Sequence, residues 1–250
     1  MILKNIWQNW RGIKQEKYPG RLLLDTKFDL KNPLVVSFYN LFGKIYYILN
    51  EKSIQLILLT SSIEGEGKSL ITSNLGIILS VLGQKKVLLV DCDFHHPQLH
   101  HIFEVGRAKG LSELLSGDIK IEEAIKLTRI PNLFLLTVGK TQLTTSMLIS
   151  SELFKNLLKE LKGIYDLILF DSSPVNLTQI PTMLAPLIEG VIFIIQAERT
   201  QRKMIECALE SLKNSKANIL GSILNMRDYT IPKYIYSKLY RTAGDYYYQK

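Results

Sequence analysis

Residues Thr60 to Ser69 read TSSIEGEGKS, between the apolar run Ile54 to Leu59 and the helix-like stretch LITSNLGIILSVLG. The order strand, glycine-bearing turn, helix is the setting of a phosphate-binding loop. Ser62 to Ser69 fits that pattern with Ser in place of the first Gly. Gly65 and Gly67 permit the backbone turns that bring N–H groups around phosphate oxygens, and the helix that follows adds the positive end of its dipole. In such a loop the Lys68 ammonium reaches the β- and γ-phosphates and the Ser69 hydroxyl becomes a ligand of the accompanying Mg²⁺. The stretch predicts a chain that handles ATP or GTP. A purely structural glycine turn is the competing reading, and the flanking strand and helix argue against it.

Two further apolar runs end in acid. KVLLVDCDFHHP carries Asp91 and Asp93, and DLILFDSSPV carries Asp171. A carboxylate at the end of a buried strand is what a Mg·nucleotide site needs, because it holds the ion and a second one can take the proton of an attacking hydroxyl. Asp171 is the Walker-B candidate. Either acid alone would also suit a turn or a helix cap; beside the loop they point to one site. Asp166 precedes its strand and is expected to be structural, and Lys126, Arg129 and Lys140 are expected on the solvated surface.

The apolar runs Ile54 to Leu59, Lys86 to Val90, Leu133 to Thr137, Leu167 to Phe170, Val191 to Ile195 and Ile219 to Leu224 alternate with helix-like stretches. This rhythm predicts an α/β fold of the P-loop NTPase type, a three-layer sandwich whose mostly parallel sheet has helices on both faces. Ligands then bind beyond the C-terminal strand ends. A chain of 250 residues supports one such domain. We expect three segments: an extension over residues 1–32, the P-loop domain over 33–230, and a tyrosine-rich tail over 231–250.

In the extension, MILKNIWQNWRGIKQEK places Ile2, Leu3, Ile6, Trp7, Trp10 and Ile13 near one helical face, with Lys4, Arg11, Lys14 and Lys17 largely elsewhere. It reads as a basic amphipathic helix that packs on its own domain, frays, or docks to a membrane or partner. Asn32 and Pro33 introduce a further helix through LVVSFYNLFGKIYYIL. Lys and Arg number 31 against 23 Asp and Glu, a net charge of +8, which favours anionic partners without choosing among them. Cys92 and Cys207 have no metal-ligand spacing and are expected to be buried thiols in a reducing compartment. No run is long enough to span a membrane and no signal-peptide core is visible, so a soluble, unsecreted protein is expected.

With these residues assembled, the chain resembles the cytoplasmic catalytic domain of bacterial tyrosine kinases, the autokinases of capsular and exopolysaccharide systems, from about Pro33 to Tyr248. The resemblance is carried by TSSIEGEGKS, LLVDCDFHHPQLHHIF, GLSELLSGD, YDLILFDSSPV, LAPLIEGVIFII and GSILN, in that order. It implies ATP-dependent phosphorylation of protein tyrosines, including a C-terminal cluster that here would be Tyr234, Tyr236, Tyr240, Tyr246, Tyr247 and Tyr248. It also implies that Ser62, Glu64, Gly65, Glu66, Gly67, Lys68, Ser69, Leu70 and Asn225 bind ATP, with Asn225 near the adenine. Ser69, Asp91 and Asp171 would hold Mg²⁺, and Lys68, Asp91 and Asp93 would serve catalysis, either aspartate being the base. Its partners would be tyrosine-containing protein substrates and a separate membrane-bound activator, a polysaccharide co-polymerase; nucleic acid is not expected. The implied location is the cytoplasm, peripheral to the inner membrane, while the abundance of Ile, Lys, Leu and Tyr leaves a plastid stroma as the alternative.

The chain departs from that family at several points. His95 and His96 stand where two basic residues are usual, and Gln196 stands where Arg is common. Val36, Tyr39 and Phe42 replace the charged contacts of the family's oligomerisation helix, which leaves a homo-oligomer to apolar contacts. A proline-rich stretch is missing at Thr141 to Thr144. Two other readings stay open: a partition or septum-positioning ATPase, whose signature Lys is Ile63 here, and a non-catalytic ATP-binding regulator of polysaccharide export.

Overall fold

A computed structural model describes residues 33–140 and 152–226. The extension over 1–32, Thr141 to Thr144 and the tyrosine cluster from Tyr234 onward lie outside the described residues.

Helix α1 (Pro33–Lys52) leads into β1 (Leu56–Ser61), the phosphate loop and α2 (Lys68–Val81). There follow β2 (Val87–Cys92), three short helices α3 (Leu99–Ile102), α4 (Leu111–Leu115) and α5 (Ile121–Ala124), then β3 (Ile125–Leu127) and β4 (Leu133–Leu136). The chain continues through α6 (Glu152–Ile164), β5 (Leu167–Ser172), α7 (Ile180–Leu184), β6 (Gly190–Gln196), α8 (Arg202–Asn214) and β7 (Ile219–Asn225). The seven strands form one sheet in the order β3-β4-β2-β5-β1-β6-β7. All neighbours are parallel except the β3–β4 pair at one edge.

Each central strand is apolar on both sides because each face is covered. Along β1, Leu56 and Leu58 join one core while Ile57 and Leu59 join the other, as the two-residue period of a strand requires. On β5, Ile168 and Phe170 face the first core and Leu167 and Leu169 the second. The first core is closed by Phe154, Leu157 and Leu161 of α6, the second by Val35, Phe38, Ile45 and Leu49 of α1 and by Leu75 and Ile78 of α2. Burying each of these side chains contributes about 2 kcal/mol.

The expected strands are found with shifted ends. β2 runs on through Asp91 and Cys92, and β5 through Asp171 and Ser172, because these residues still pair across the sheet and a buried backbone must keep its ladder. β3 was not expected: three residues are too few to show a period. Cys92 is buried, as expected, whereas Cys207 is exposed. The reason is that α8 buries only Ala208 and Leu212 among its residues, which turns Cys207 outward. Asp166 lies at the N-terminal end of the sheet, where its Oδ2 accepts the Lys86 N–H at 2.7 Å. Lys126 and Lys140 are on the surface, and Arg129 forms an exposed pair with Glu104 at 2.9 Å. On α1, Tyr39 is 52% exposed, and Phe42 is half-buried against the core and stacks on Tyr46 with ring centres 5.2 Å apart.

Candidate nucleotide and phosphoryl-transfer site

The phosphate loop leaves the buried centre of the sheet and turns twice through left-handed backbone, at Gly65 (φ 80°) and at Gly67 (φ 86°), the residue that caps α2. At Gly67 a Cβ would stand 2.3 Å from Asn225 Nδ2, so both the conformation and the space demand glycine. Asn225 closes β7, in register with Gln196 at the end of β6, and its Nδ2 donates to the Glu66 carbonyl at 2.9 Å.

Glu66 is fully buried, and its carboxylate is turned into the protein. One oxygen accepts the Ile63 N–H at 2.9 Å and the Ser62 hydroxyl at 3.0 Å. The other accepts the Gln196 N–H at 3.0 Å and the Thr200 hydroxyl at 2.6 Å. Burial alone would raise the Glu66 pKa, yet these bonds to the ionised form outweigh it and hold the carboxyl below its usual range. Glu66 thus ties the loop to the end of β6, while Glu64 is exposed and meets His96 Nε2 at 3.3 Å. Leu70 is half-buried in the first turn of α2.

Lys68, 7% exposed, and Ser69 begin α2 beside the acidic strand ends. Asp91 and Asp171 are directly paired across β2 and β5. Both oxygens of Asp91 organise the loop that follows it, Oδ1 accepting the Asp93 N–H at 3.1 Å and Oδ2 the Leu99 N–H at 3.2 Å. Asp93 in turn accepts the His96 N–H at 3.0 Å. The Thr72 hydroxyl lies 2.9 Å from the Lys68 carbonyl and 3.4 Å from Asp171 Oδ1. Asp171 Oδ2 is buried and has no hydrogen-bond partner.

Burial pushes the Asp171 carboxyl up to about 7, against the opposing pull of the Ser69 hydroxyl and the Lys68 ammonium. Burial and then the neighbouring Asp171 charge push Asp91 well above the usual carboxylate range. Crowded buried carboxylates of this kind are stabilised by a cation. The orphaned Asp171 oxygen, Asp91 beside it and the Ser69 hydroxyl form an all-oxygen donor set that fits Mg²⁺. The same burial and charges raise the Cys92 thiol, which keeps it an inert core residue.

The structure therefore gathers Ser62, Glu64, Gly65, Glu66, Gly67, Lys68, Ser69, Asp91, Asp93, Asp171 and Asn225 at one end of the sheet. Sequence reasoning missed Thr72, whose place four residues after Lys68 on a helix could have signalled it. It also missed Gln196 and Thr200 as the partners of Glu66, for which no local signal exists. Among the described residues no group of three or more His, Cys, Asp or Glu side chains is arranged to hold a metal ion, so the donor set proposed for Mg²⁺ depends on the Ser69 hydroxyl beside two carboxylates.

A fold of this topology with a phosphate loop at its centre defines the class of P-loop nucleotide-binding proteins, and residues 54–229 match the AAA domain family. Tyrosine-protein kinase YwqD of Bacillus subtilis is 30% identical over 175 residues, which cover 70% of this chain and 73% of that protein. The crystal structure of the chimerical protein CapA2B2 superposes with a TM-score of 0.78 at 28% identity, covering 86% of this chain and 92% of the other. The septum site-determining protein MinD of Pyrococcus horikoshii OT3, complexed with Mg-ADP, superposes with a TM-score of 0.58 at 28% identity over 74% of this chain and 76% of that one. The chain belongs to the bacterial tyrosine kinase family, and its enzyme class is protein-tyrosine kinase.

Proposed function

We propose that this chain transfers the γ-phosphate of Mg·ATP to tyrosine hydroxyls, its own Tyr234, Tyr236, Tyr240, Tyr246, Tyr247 and Tyr248 among them, within a system that makes or exports polysaccharide. The observation that carries the proposal is the register pair Asp91–Asp171 beside Lys68 and Ser69, with one buried carboxylate oxygen unpartnered. The phosphate loop binds the triphosphate with its backbone N–H groups and Lys68. Ser69, Asp171 and Asp91 would hold Mg²⁺, which would neutralise charge on the transferring phosphoryl group. In the transfer a tyrosine oxygen forms a bond to Pγ, the bond from Pγ to the β–γ bridging oxygen breaks, and ADP leaves. Asp91 and Asp93 divide the remaining work of holding the metal and receiving the tyrosine proton.

The partner in this reading is a separate membrane-bound activator, and the net charge of +8 suits the acidic surface beside it. In this reading the chain works at the cytoplasmic face of that membrane. Phosphate accumulating on neighbouring tail tyrosines adds like charge and loosens the association between subunits.

Mass spectrometry of the purified chain after incubation with Mg·ATP and its activator tests the reading. Phosphate on the tail tyrosines in wild type and none in Lys68→Met is the expected result. ATP binding with no phosphotyrosine in wild type would overturn it.

A further inference from the structure

We infer that Arg199, in the loop after β6, is a nucleotide-contacting residue that brings a second cation to the triphosphate; the inference rests on the nucleotide-binding reading of the phosphate loop. Beyond Gln196 the chain turns through left-handed backbone at Glu198 (φ 62°) and comes back over the loop. The guanidinium then lies against Gly65: a Cβ there would stand 3.0 Å from Nη1 and 3.7 Å from Nη2. Gly65 leaves room for this approach.

An exposed arginine is ordinarily a solvated surface residue. Arg199 differs because its loop is clamped at both ends to the residue after Gly65. Glu66 accepts the Gln196 N–H and the Thr200 hydroxyl, and the Thr200 N–H returns to the Gln196 carbonyl at 3.4 Å. The Gln196 amide oxygen accepts a hydrogen bond from Nη1 at 3.0 Å, which fixes the direction of the guanidinium. Among the described residues no carboxylate pairs with Arg199, and its remaining N–H donors have no bonded partner there.

Charge balance gives those donors a task. Among the described residues Asp91, Asp93 and Asp171 gather beside one ammonium, Lys68, and the nucleotide would add a polyphosphate. One divalent ion leaves such a site short of positive charge. A guanidinium offers a planar fork of donors matched to phosphate oxygens, and an arginine supplied from within the same chain is a recurring device of phosphoryl-transfer sites.

The test compares wild type with Arg199→Gln, which keeps a donor for Gln196 without the charge, and with Arg199→Lys. Binding of Mg·ATP, ADP and AMP is measured by calorimetry together with kcat/KM for tail phosphorylation, and thermal denaturation verifies folding. Arg199→Gln is expected to weaken Mg·ATP about tenfold or more and to affect ATP more than AMP, with Arg199→Lys recovering part of the loss. ATP binding and turnover within twofold of wild type in Arg199→Gln would overturn the inference while leaving the nucleotide-binding reading intact. Equal weakening of ATP and AMP would also overturn it, since that pattern places the guanidinium on the base. Absence of nucleotide binding in wild type would instead sink the reading beneath it.

Discussion

Asp91 and Asp171 sit opposite one another on adjacent parallel strands, and only Asp91 has both carboxylate oxygens satisfied by backbone N–H groups. The asymmetry separates their roles. Asp91 builds the loop that carries Asp93, whereas Asp171 keeps a buried oxygen without a hydrogen-bond partner, the one we propose for Mg²⁺.

The Asp171 carboxyl is raised to about 7 in the folded chain, chiefly by burial, from an ordinary 3.8. Between those values the folded state holds a proton that the unfolded state has lost, so this group's contribution to stability falls as pH rises through that window. Asp171→Asn removes the charge. The metal-free variant should melt at least about 2 °C above wild type at pH 8, a shift equivalent to about 1 kcal/mol at this size, and the gap should narrow at pH 5. Its Mg-dependent phosphorylation should fall by about 100-fold or more. Melting curves at the two pH values and a phosphotyrosine assay check both halves; a gap that widens toward pH 5 would refute the account.

Glu66→Gln replaces a carboxylate that accepts from four donors with an amide whose NH₂ must face some of them. The expected cost is about 2 to 3 kcal/mol, because buried donors lose their acceptor. Wild-type Glu66, although raised by burial, is held below its ordinary 4.5 by its hydrogen bonds. Its stabilisation is therefore full above the ordinary value and is lost as pH falls through the lower folded one. Urea titrations at neutral pH and near pH 4 should show the difference between wild type and variant shrinking with acid.

Gly67→Ala meets two obstacles, the left-handed φ of 86° and the Asn225 amide 2.3 Å away. Each adds to a cost of about 1 to 3 kcal/mol, and ATP affinity should drop about tenfold or more as the loop deforms. Adding Asn225→Ala removes the steric part and leaves the backbone strain. A double-mutant cycle should thus show partial rescue of stability; strict additivity would mean that the two residues do not meet.

The two cysteines should separate by reactivity. Cys207 is exposed, and Cys92 is buried with its thiol raised by burial and then by the carboxylates around it. A thiol reagent should label one cysteine per native chain promptly and the second only on unfolding. Prompt native labelling of Cys92 would show that the centre of the sheet opens far more readily than its packing implies.

The sheet was legible because buried parallel strands are apolar on both faces, and LILF and VIFII in β5 and β6 can hardly be read otherwise. Strand ends were less so: Asp91 and Asp171 look like loop residues until the β2–β5 pairing shows the ladder running through them. Edge strand β3 depends on its partner β4 rather than on its own three residues. Cys207 was misplaced because nothing in the α8 sequence states how narrow a stripe that helix buries. Glu66 showed a similar limit. It belongs by position to a phosphate-binding motif, and only the fold reveals that its carboxylate is turned into the protein to fasten the loop.

The sequence by itself determined the layered sheet, the phosphate loop and the acidic strand ends, because hydrophobic period and loop chemistry are local properties of the chain. The tertiary structure decided which groups meet: Asp91 with Asp171, Glu66 with Thr200, Asn225 with Gly67, and Arg199 over Gly65. Those pairs lie far apart in sequence or on separate elements. Strand order and register bring them together, and burial then sets their charge.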